Sequence, residues 1–565
     1  MKTSLPLRPL VVAFSFALPM LAQAADPVVA PSAGSILQEV QPNLPQAPSS
    51  GNTGLTIEGT GHGGLPTTVP FMVSSIRITG NTKIDTATLH ALVADGEGKE
   101  ETLNRLQVLA GRITDYYHAH GYPLARAIIP AQRIADGVVT FEVLEAAFGK
   151  INLNNHSRVN NGLLQDTLSP MQSGAVIEQS TMDNSLLLLS DIPGISAHAT
   201  LQPGAQVGTS DLNVVTEPLP MVNGSVGLDN YGNAYTGRVR GSGNLNILNP
   251  LHMGDVLSLS ALSSGSDMNY GRVGYETLLN GLGTRVGASF SALHYILGGN
   301  LANLDGNGTA EISSAWLKQP IIRSQNDNLY FQLQYDHLAL LDNLNSSDIH
   351  DKRHLDNWTG TANGDWHDAV LVGAANTWSV GVTDGQVNFD DPNAQISDAG
   401  TTQTQGNFAK LDFSYTRLQG FTSLDSLYVA VSGQLANTNL DISQQLVVGG
   451  PYTVRAYDMG VLTGDEGILG TVEWRHDLGG LWNGDWQAVA FVDSESVTIN
   501  RSLWVGASAA GSNTATLSGA GVGLNWSTQN QWVAKVYVAA PIGADPSQVP
   551  NAPSARAWLQ IAKGF

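Results

Sequence analysis

The stretch Leu329-Tyr330-Phe331-Gln332-Leu333-Gln334-Tyr335-Asp336 (329–336, LYFQLQYD) alternates with a period of two. Leu329, Phe331, Leu333 and Tyr335 fall on one face of an extended strand. Tyr330, Gln332, Gln334 and Asp336 fall on the other. One face suits lipid and the other a polar lumen, which is the repeating unit of a membrane β-barrel. Residues 532–538 and 555–565 repeat the pattern, and the chain ends on Phe565 with Ile561, Leu559 and Ala557 alternating before it. Lys563 interrupts that apolar series. All 11 tryptophans lie between Trp316 and Trp558, a distribution expected of side chains gathered at bilayer interfaces.

Composition agrees. Charged residues make up 13% of the 565 and glycine is abundant at 61, whereas soluble domains carry about 25% charge. After the N-terminus no stretch approaches the roughly 20 apolar residues of a spanning helix. The absence of cysteine excludes disulfides and thiolate metal sites. A net charge of −21 argues against nucleic-acid binding, which needs a basic footprint. No cofactor or metal motif stands out. His118-Ala119-His120 places its two imidazoles on different helix faces, and Asp305-Gly306-Asn307-Gly308 lacks the remaining ligands of a calcium loop and reads as a turn. G-x-S-x-G, H-E-x-x-H and Walker A motifs are missing, so an enzyme is not expected.

The barrel reading covers residues 220–565, where short alternating segments are separated by Gly, Asn and Asp. With about 9–11 residues per spanning strand, this length accommodates about sixteen strands and leaves about 11 residues per connection. Upstream the character differs. Residues 1–24 place Lys2 and Arg8 before an apolar run and end on Ala22-Gln23-Ala24, the pattern of a secretory signal peptide. Residues 25–70 are rich in Pro, Gly, Ser and Thr and read as linker. Within them SAGSILQEVQ (32–41) spaces Ile36, Leu37 and Val40 as a short helix.

Residues 71–147 and 148–219 each run strand–helix–helix–strand–strand, an internal repeat of about 75 residues. In the first, Asp85 is a good N-cap. Leu106, Leu109, Ile113 and Tyr116 mark the buried face of its second helix, and two strands are expected to flank a hairpin turn at Asp136-Gly137. In the second, helices are expected near 159–168 and 181–189, and strands at 195–201 and 211–216.

Between two strand-like segments of the barrel lies GGPYTVRAYDMG (449–460). Gly449 and Gly450 permit a turn that bulkier residues resist, and Arg455 is its one arginine. The mature chain resembles the outer-membrane transporters of two-partner secretion, the hemolysin-activator and filamentous-hemagglutinin-transporter family. The resemblance implies an N-terminal plug helix at 32–41, two periplasmic POTRA modules and a 16-stranded outer-membrane barrel surrounded by lipid. GYPLARAIIPAQRIADGVVTFEVLE (121–145) resembles the end of the first POTRA module; LDNYGNAYTGRVRG (228–241) and NPLHMGD (249–255) resemble the first barrel strands.

The family's V-R-G-Y loop, which folds back into the lumen, is matched by Val454-Arg455-Ala456-Tyr457. Its wall motif F-x-D-x-G is matched by Phe491 and Asp493, with Glu495 where glycine is expected. A cation buried in a lumen is costly unless an anion meets it. An Arg455–Asp493 pair would tie the loop to the wall, with Glu495 as a second acceptor. The loss of glycine at 456 matters only if that position needs positive φ. The function implied is capture of an unfolded exoprotein, an adhesin or hemolysin, and its secretion through the barrel. The alternatives are an outer-membrane insertase of the same superfamily and a diffusion porin, though a porin would not need residues 71–217.

Overall fold

The computed structural model describes residues 30–41, 44, 46–57, 69–505, 507, 512–549 and 552–565. Residues 1–24, read from the sequence as a signal peptide, lie outside them. Ser32 and Ser35 cap one another reciprocally at the start of α1 (Ala33–Val40). A three-residue strand, β1 (Leu55–Ile57), follows in the linker.

The first module comprises β2 (Phe71–Val73), β3 (Ser75–Thr79), α2 (Thr86–Ala91), β4 (Lys99–Glu101), α3 (Leu103–Ala119), β5 (Arg126–Ile128) and β6 (Val138–Leu144). Asp85 caps α2, accepting the Thr88 N–H at 2.8 Å. Val139, Phe141 and Val143 of β6 face Leu89, Leu106, Leu109 and Ile113 across one core.

Two details differ from the sequence reading. Tyr117, not Tyr116, completes the buried face of α3, one turn beyond Ile113; Tyr116 is only partly buried and stacks on His120 at 3.9 Å. Asp136 and Gly137 do both adopt positive φ, yet they close no tight hairpin. β5 pairs with β6 from Arg126↔Leu144 to Ile128↔Glu142, leaving a connection over 129–137. The Gly137 carbonyl instead accepts the Ser74 N–H at 2.8 Å, so the turn docks onto the junction of β2 and β3.

The second module comprises β7 (Ala147–Asn155), α4 (Asn161–Leu168), α5 (Gln179–Ser190), β8 (Ile195–Pro203) and β9 (Thr209–Pro218). Its sheet order is β1-β8-β9-β7. The outer strand is thus borrowed from the linker: β1 lies parallel on the edge of β8, Leu55 opposite Ala199 and Ile57 opposite Leu201.

The remaining strands are β10 (Val222–Asp229), β11 (Arg240–Leu248), β12 (Val256–Ser263), β13 (Met268–Leu278), β14 (Arg285–Ile296), β15 (Gly306–Arg323), β16 (Asp327–Leu344), β17 (Ile349–Asp368) and β18 (Ala374–Phe389). After the outer helix α6 (Pro392–Gly400) come β19 (Gly406–Gly420), β20 (Asp425–Ala436), the short pair β21 (Leu446–Val448) and β22 (Leu462–Gly464), then β23 (Glu466–Leu481), β24 (Gly484–Thr498), β25 (Thr514–Ser527), β26 (Trp532–Pro541) and β27 (Arg556–Gly564). All but β21 and β22 form one closed barrel of 16 strands, sealed where β10 meets β27. Phe331 and Leu333 of β16 face outward, 45% and 40% exposed. Strand lengths depart from the uniform division assumed from sequence. β17 runs 20 residues, and only 324–326 separate β15 from β16, so the wall extends well past the bilayer.

The second module is fastened to the barrel rim. Asp191, the C-cap of α5, receives Arg323 of β15 through Nε at 2.7 Å and Nη2 at 2.9 Å. Leu278 of β13 joins the module's apolar core.

Candidate functional site: a lumen loop latched to the wall

Loop 449–460 leaves β21 and returns to β22 with Gly449, Gly450 and Gly460 at positive φ. A β-carbon at Gly449 would collide with the Asp458 carbonyl, so the turn requires glycine there. Ala456 does not adopt positive φ, so the alanine that replaces the family's glycine costs the loop no backbone strain. Val454, Ala456 and Tyr457 are buried with Val448, Phe491 and Leu517.

This packing delivers Arg455, 5% exposed, to the wall. Its Nε and Nη2 donate to the two oxygens of Asp493 at 2.8 and 2.7 Å, a bidentate pair, and its backbone N–H donates to the same carboxylate at 3.2 Å. Nη1 donates to Glu473 of β23 at 2.6 Å. The guanidinium lies 3.4 Å from the centre of the Phe491 ring, so the wall motif's aromatic and its acid grip the same cation. Trp558 of β27 donates its indole N–H to the Arg455 carbonyl at 2.7 Å. Thr471 Oγ1 donates to Asp493 at 3.0 Å.

The expected role of Glu495 is not realised. It lies on β24, 2% exposed, but its Oε2 has no hydrogen-bond partner. The second acceptor is Glu473, which also holds Arg475 at 2.6 Å. Both glutamates face inward, but the loop brings Arg455 toward β23, beyond the reach of position 495. Trp558 also departs from the interface reading of the tryptophans: it faces inward and is 1% exposed.

Helix α1 lies inside the barrel. Ile36 and Leu37 pack into a cluster with Tyr270, Tyr295, Leu338 and Leu340, and Val40 lies partly buried at its margin. Asp342 on the wall accepts the Ala33 N–H at 2.7 Å, meeting the helix's positive end. Gln38 donates to the Ser443 carbonyl and Gln41 to the Tyr270 hydroxyl. Glu39, 5% exposed, accepts from Asn233 at 2.9 Å. The same Asn233 amide donates to the Met459 carbonyl of the lumen loop at 3.3 Å. Helix and loop therefore meet at Glu39, through this asparagine and through Gly460, which lies against the same carboxylate.

The profile of the haemolysin secretion/activation protein family ShlB/FhaC/HecB matches residues 208–526. The chain belongs to this family. It is an outer-membrane transporter of two-partner secretion, and its region 71–146 matches the ShlB-type POTRA domain. The heme/hemopexin transporter protein HuxB of Haemophilus influenzae is 27% identical over 494 residues, spanning 86% of this chain and 85% of its own. The outer membrane transporter CdiB of Escherichia coli is 27% identical over 185 residues, 33% of this chain and 31% of its own.

Among solved structures, CdiB from Escherichia coli covers 90% of the transporter and 93% of its own chain with a TM-score of 0.70 at 21% identity. BamA from Haemophilus ducreyi, lacking POTRA domains 1–3, covers 88% of this chain and 100% of its own with a TM-score of 0.52 at 14% identity. These two likenesses concern the fold. Sequence reasoning had missed Glu473 and Trp558 of the transporter's latch. Glu473 and Arg475 stand two apart around the lipid-facing Trp474, an inward charge pair that the alternation makes readable.

Proposed function

We propose that the transporter exports a large exoprotein of adhesin or hemolysin type, captured unfolded in the periplasm and passed through the barrel in extended form. The capture step rests on the edge of β8. An exposed strand edge offers unpaired backbone donors and acceptors to any extended segment. Here the linker strand β1 already uses that edge, with the Ala199 N–H donating to the Gly54 carbonyl at 3.0 Å. The linker continues from there into the lumen: the Ser50 carbonyl receives Arg323 at 2.7 Å, Ser49 donates to Asp365 at 2.8 Å, and Gln46 accepts from Asn363 at 2.7 Å. In this reading α1 is the resting plug of the channel, residues 148–219 are a second POTRA module, and an arriving exoprotein strand displaces β1 from β8.

The test is secretion by co-expression with an exoprotein encoded beside this chain, with a haem-scavenging candidate included because HuxB is the heme/hemopexin transporter. Secretion into the medium is lost in Arg455→Ala and Asp493→Ala. It is also lost in Ala199→Pro, which removes the edge donor from β8 while leaving the barrel unchanged. Full secretion by Ala199→Pro would refute capture on β8. Defects in other outer-membrane proteins with no secretion phenotype would favour the insertase.

A further inference from the structure

Lys563 is a lysine in a lipid-facing register. It pairs with Val226 of β10 and with Trp532 of β26, and those neighbours are 55% and 40% exposed on the outer wall. β10 begins directly after the periplasmic modules, so Val226, Trp532 and the chain end at Phe565 lie toward the periplasmic rim. The ammonium donates to the Asn530 carbonyl in the β25–β26 turn and sits 5.9 Å from the centre of the Trp532 ring. Among the described residues it forms no ion pair, in a chain of net charge −21. A compact cation of this kind, with donors to spare beside an interfacial tryptophan, suits a phosphate oxygen at headgroup depth.

From this lysine a groove of about 550 Å³ crosses the seam onto the outer face of β11 and β12. Its floor is Gly241, Gly243 and Ala261, and its near wall is Val226, Leu228 and Ile561. The floor is low because these registers carry nothing larger than a methyl group. A β-carbon at Gly243 would have no neighbour nearer than 4.0 Å, and one at Gly241 would meet only Leu228, at 3.7 Å. Ordinary lipid-facing rows of this barrel carry Leu, Val, Ile or Phe instead. The slot thus joins an apolar channel to a cation at its periplasmic end, a volume within the roughly 300–1,000 Å³ of small-molecule sites. It also flanks the closure of the barrel, where β10 and β27 share only the pairs from Ser225↔Gly564 to Asp229↔Gln560.

We propose that this groove binds one anionic glycerophospholipid of the periplasmic leaflet, its phosphate on Lys563 and an acyl chain over Gly241 and Gly243. The bound lipid covers the outside of the seam with a fitted chain rather than with averaged bilayer. The lysine supplies preference for anionic headgroups and the glycines supply the fit for the chain.

The test is native mass spectrometry of the full chain, titrated with phosphatidylglycerol or phosphatidylethanolamine. Wild type retains one phosphatidylglycerol in preference to phosphatidylethanolamine. Lys563→Gln loses that preference by about fivefold, the worth of one lysine at an anionic surface. Lys563→Arg keeps it, and Gly243→Leu, which fills the slot from open space, weakens both lipids. Heat-modifiable migration of each variant reports barrel closure. If Gly243→Leu does not close, the Gln and Arg pair at 563 decides alone. Equal retention of the two lipids by wild type, or unchanged preference in Lys563→Gln, would overturn the proposal. So would dimers that Gly243→Leu abolishes, which would assign the groove to a second copy of the chain.

Discussion

Glu39 is a carboxylate on a helix that is read as movable, and its surroundings set a pH dependence. In the docked position burial pushes its carboxyl up from the ordinary 4.5 to about 7, against the opposing pull of the Asn233 hydrogen bond and the Arg240 charge. Arg240 is itself paired with Asp229 at 2.9 Å, which blunts its influence. Gly460 of the lumen loop lies against the same carboxyl group. Because the docked pKa is raised, docking holds the extra proton. The stabilisation is complete below about pH 4.5, declines as pH rises, and is lost above about pH 7.

The difference between 4.5 and about 7 corresponds to about 3 kcal/mol of docking free energy over the whole window. Between about pH 5.5 and 7.5 the undocked-to-docked ratio should rise about 20-fold. Conductance of the full chain in planar bilayers reads this ratio as the open fraction. Glu39→Gln keeps an acceptor for Asn233 but cannot ionise, so its open fraction should be low and flat with pH. A wild-type open fraction that does not rise with pH, or a Gln variant that follows wild type, would refute the reasoning.

The latch makes graded predictions. Asp493→Ala removes a bidentate partner and strands a buried guanidinium, so protease should reach loop 449–460 readily and urea stability of the folded barrel should fall by about 3–5 kcal/mol. Glu473→Gln retains an acceptor for Arg455 Nη1 and should cost less, about 1–2 kcal/mol in the same assay. Glu495→Met fills the same space without an unpartnered oxygen and should raise stability by about 1–3 kcal/mol; a fall would refute the reading of its buried Oε2 as unpartnered.

Much of the barrel was readable because lipid and lumen impose opposite chemistry on alternate residues. Residues 329–336 carried that contrast at full strength. The Arg455–Asp493 contact was readable for a different reason, namely two short motifs that resemble a known pair. Glu473 was not marked by any motif. It becomes visible only when β23 is placed in register, since Trp474 outward forces Glu473 and Arg475 inward. Trp558 was misread because tryptophan enrichment describes a population, and the register of β27, with Leu559 outward, places this member in the lumen. β1 escaped notice because three residues of linker carry no periodicity; its pairing is supplied entirely by the edge it covers.

The two elements inside the barrel are held by different physics. Loop 449–460 is closed by a desolvated bidentate ion pair, a ring stacked on the cation and a buried apolar seam, so its release would expose an unpaired charge in a dry place. Helix α1 spans only eight residues. Such a helix is marginal in water, because nucleation costs more than one turn returns. Outside the lumen it should melt, and the chain entropy gained offsets the contacts of Ile36 and Leu37 that it leaves behind. Its polar contacts with the barrel are single hydrogen bonds at Ala33, Gln38, Glu39 and Gln41 rather than a paired charge. Removing β1 from β8 slackens the tether that runs through Ser50 and Gln46, so capture at the edge and exit of the helix lie on one continuous strand of chain. The loop meets the helix at Glu39, through Asn233 and Gly460, with no ion pair between them among the described residues, and it stays latched while the helix leaves.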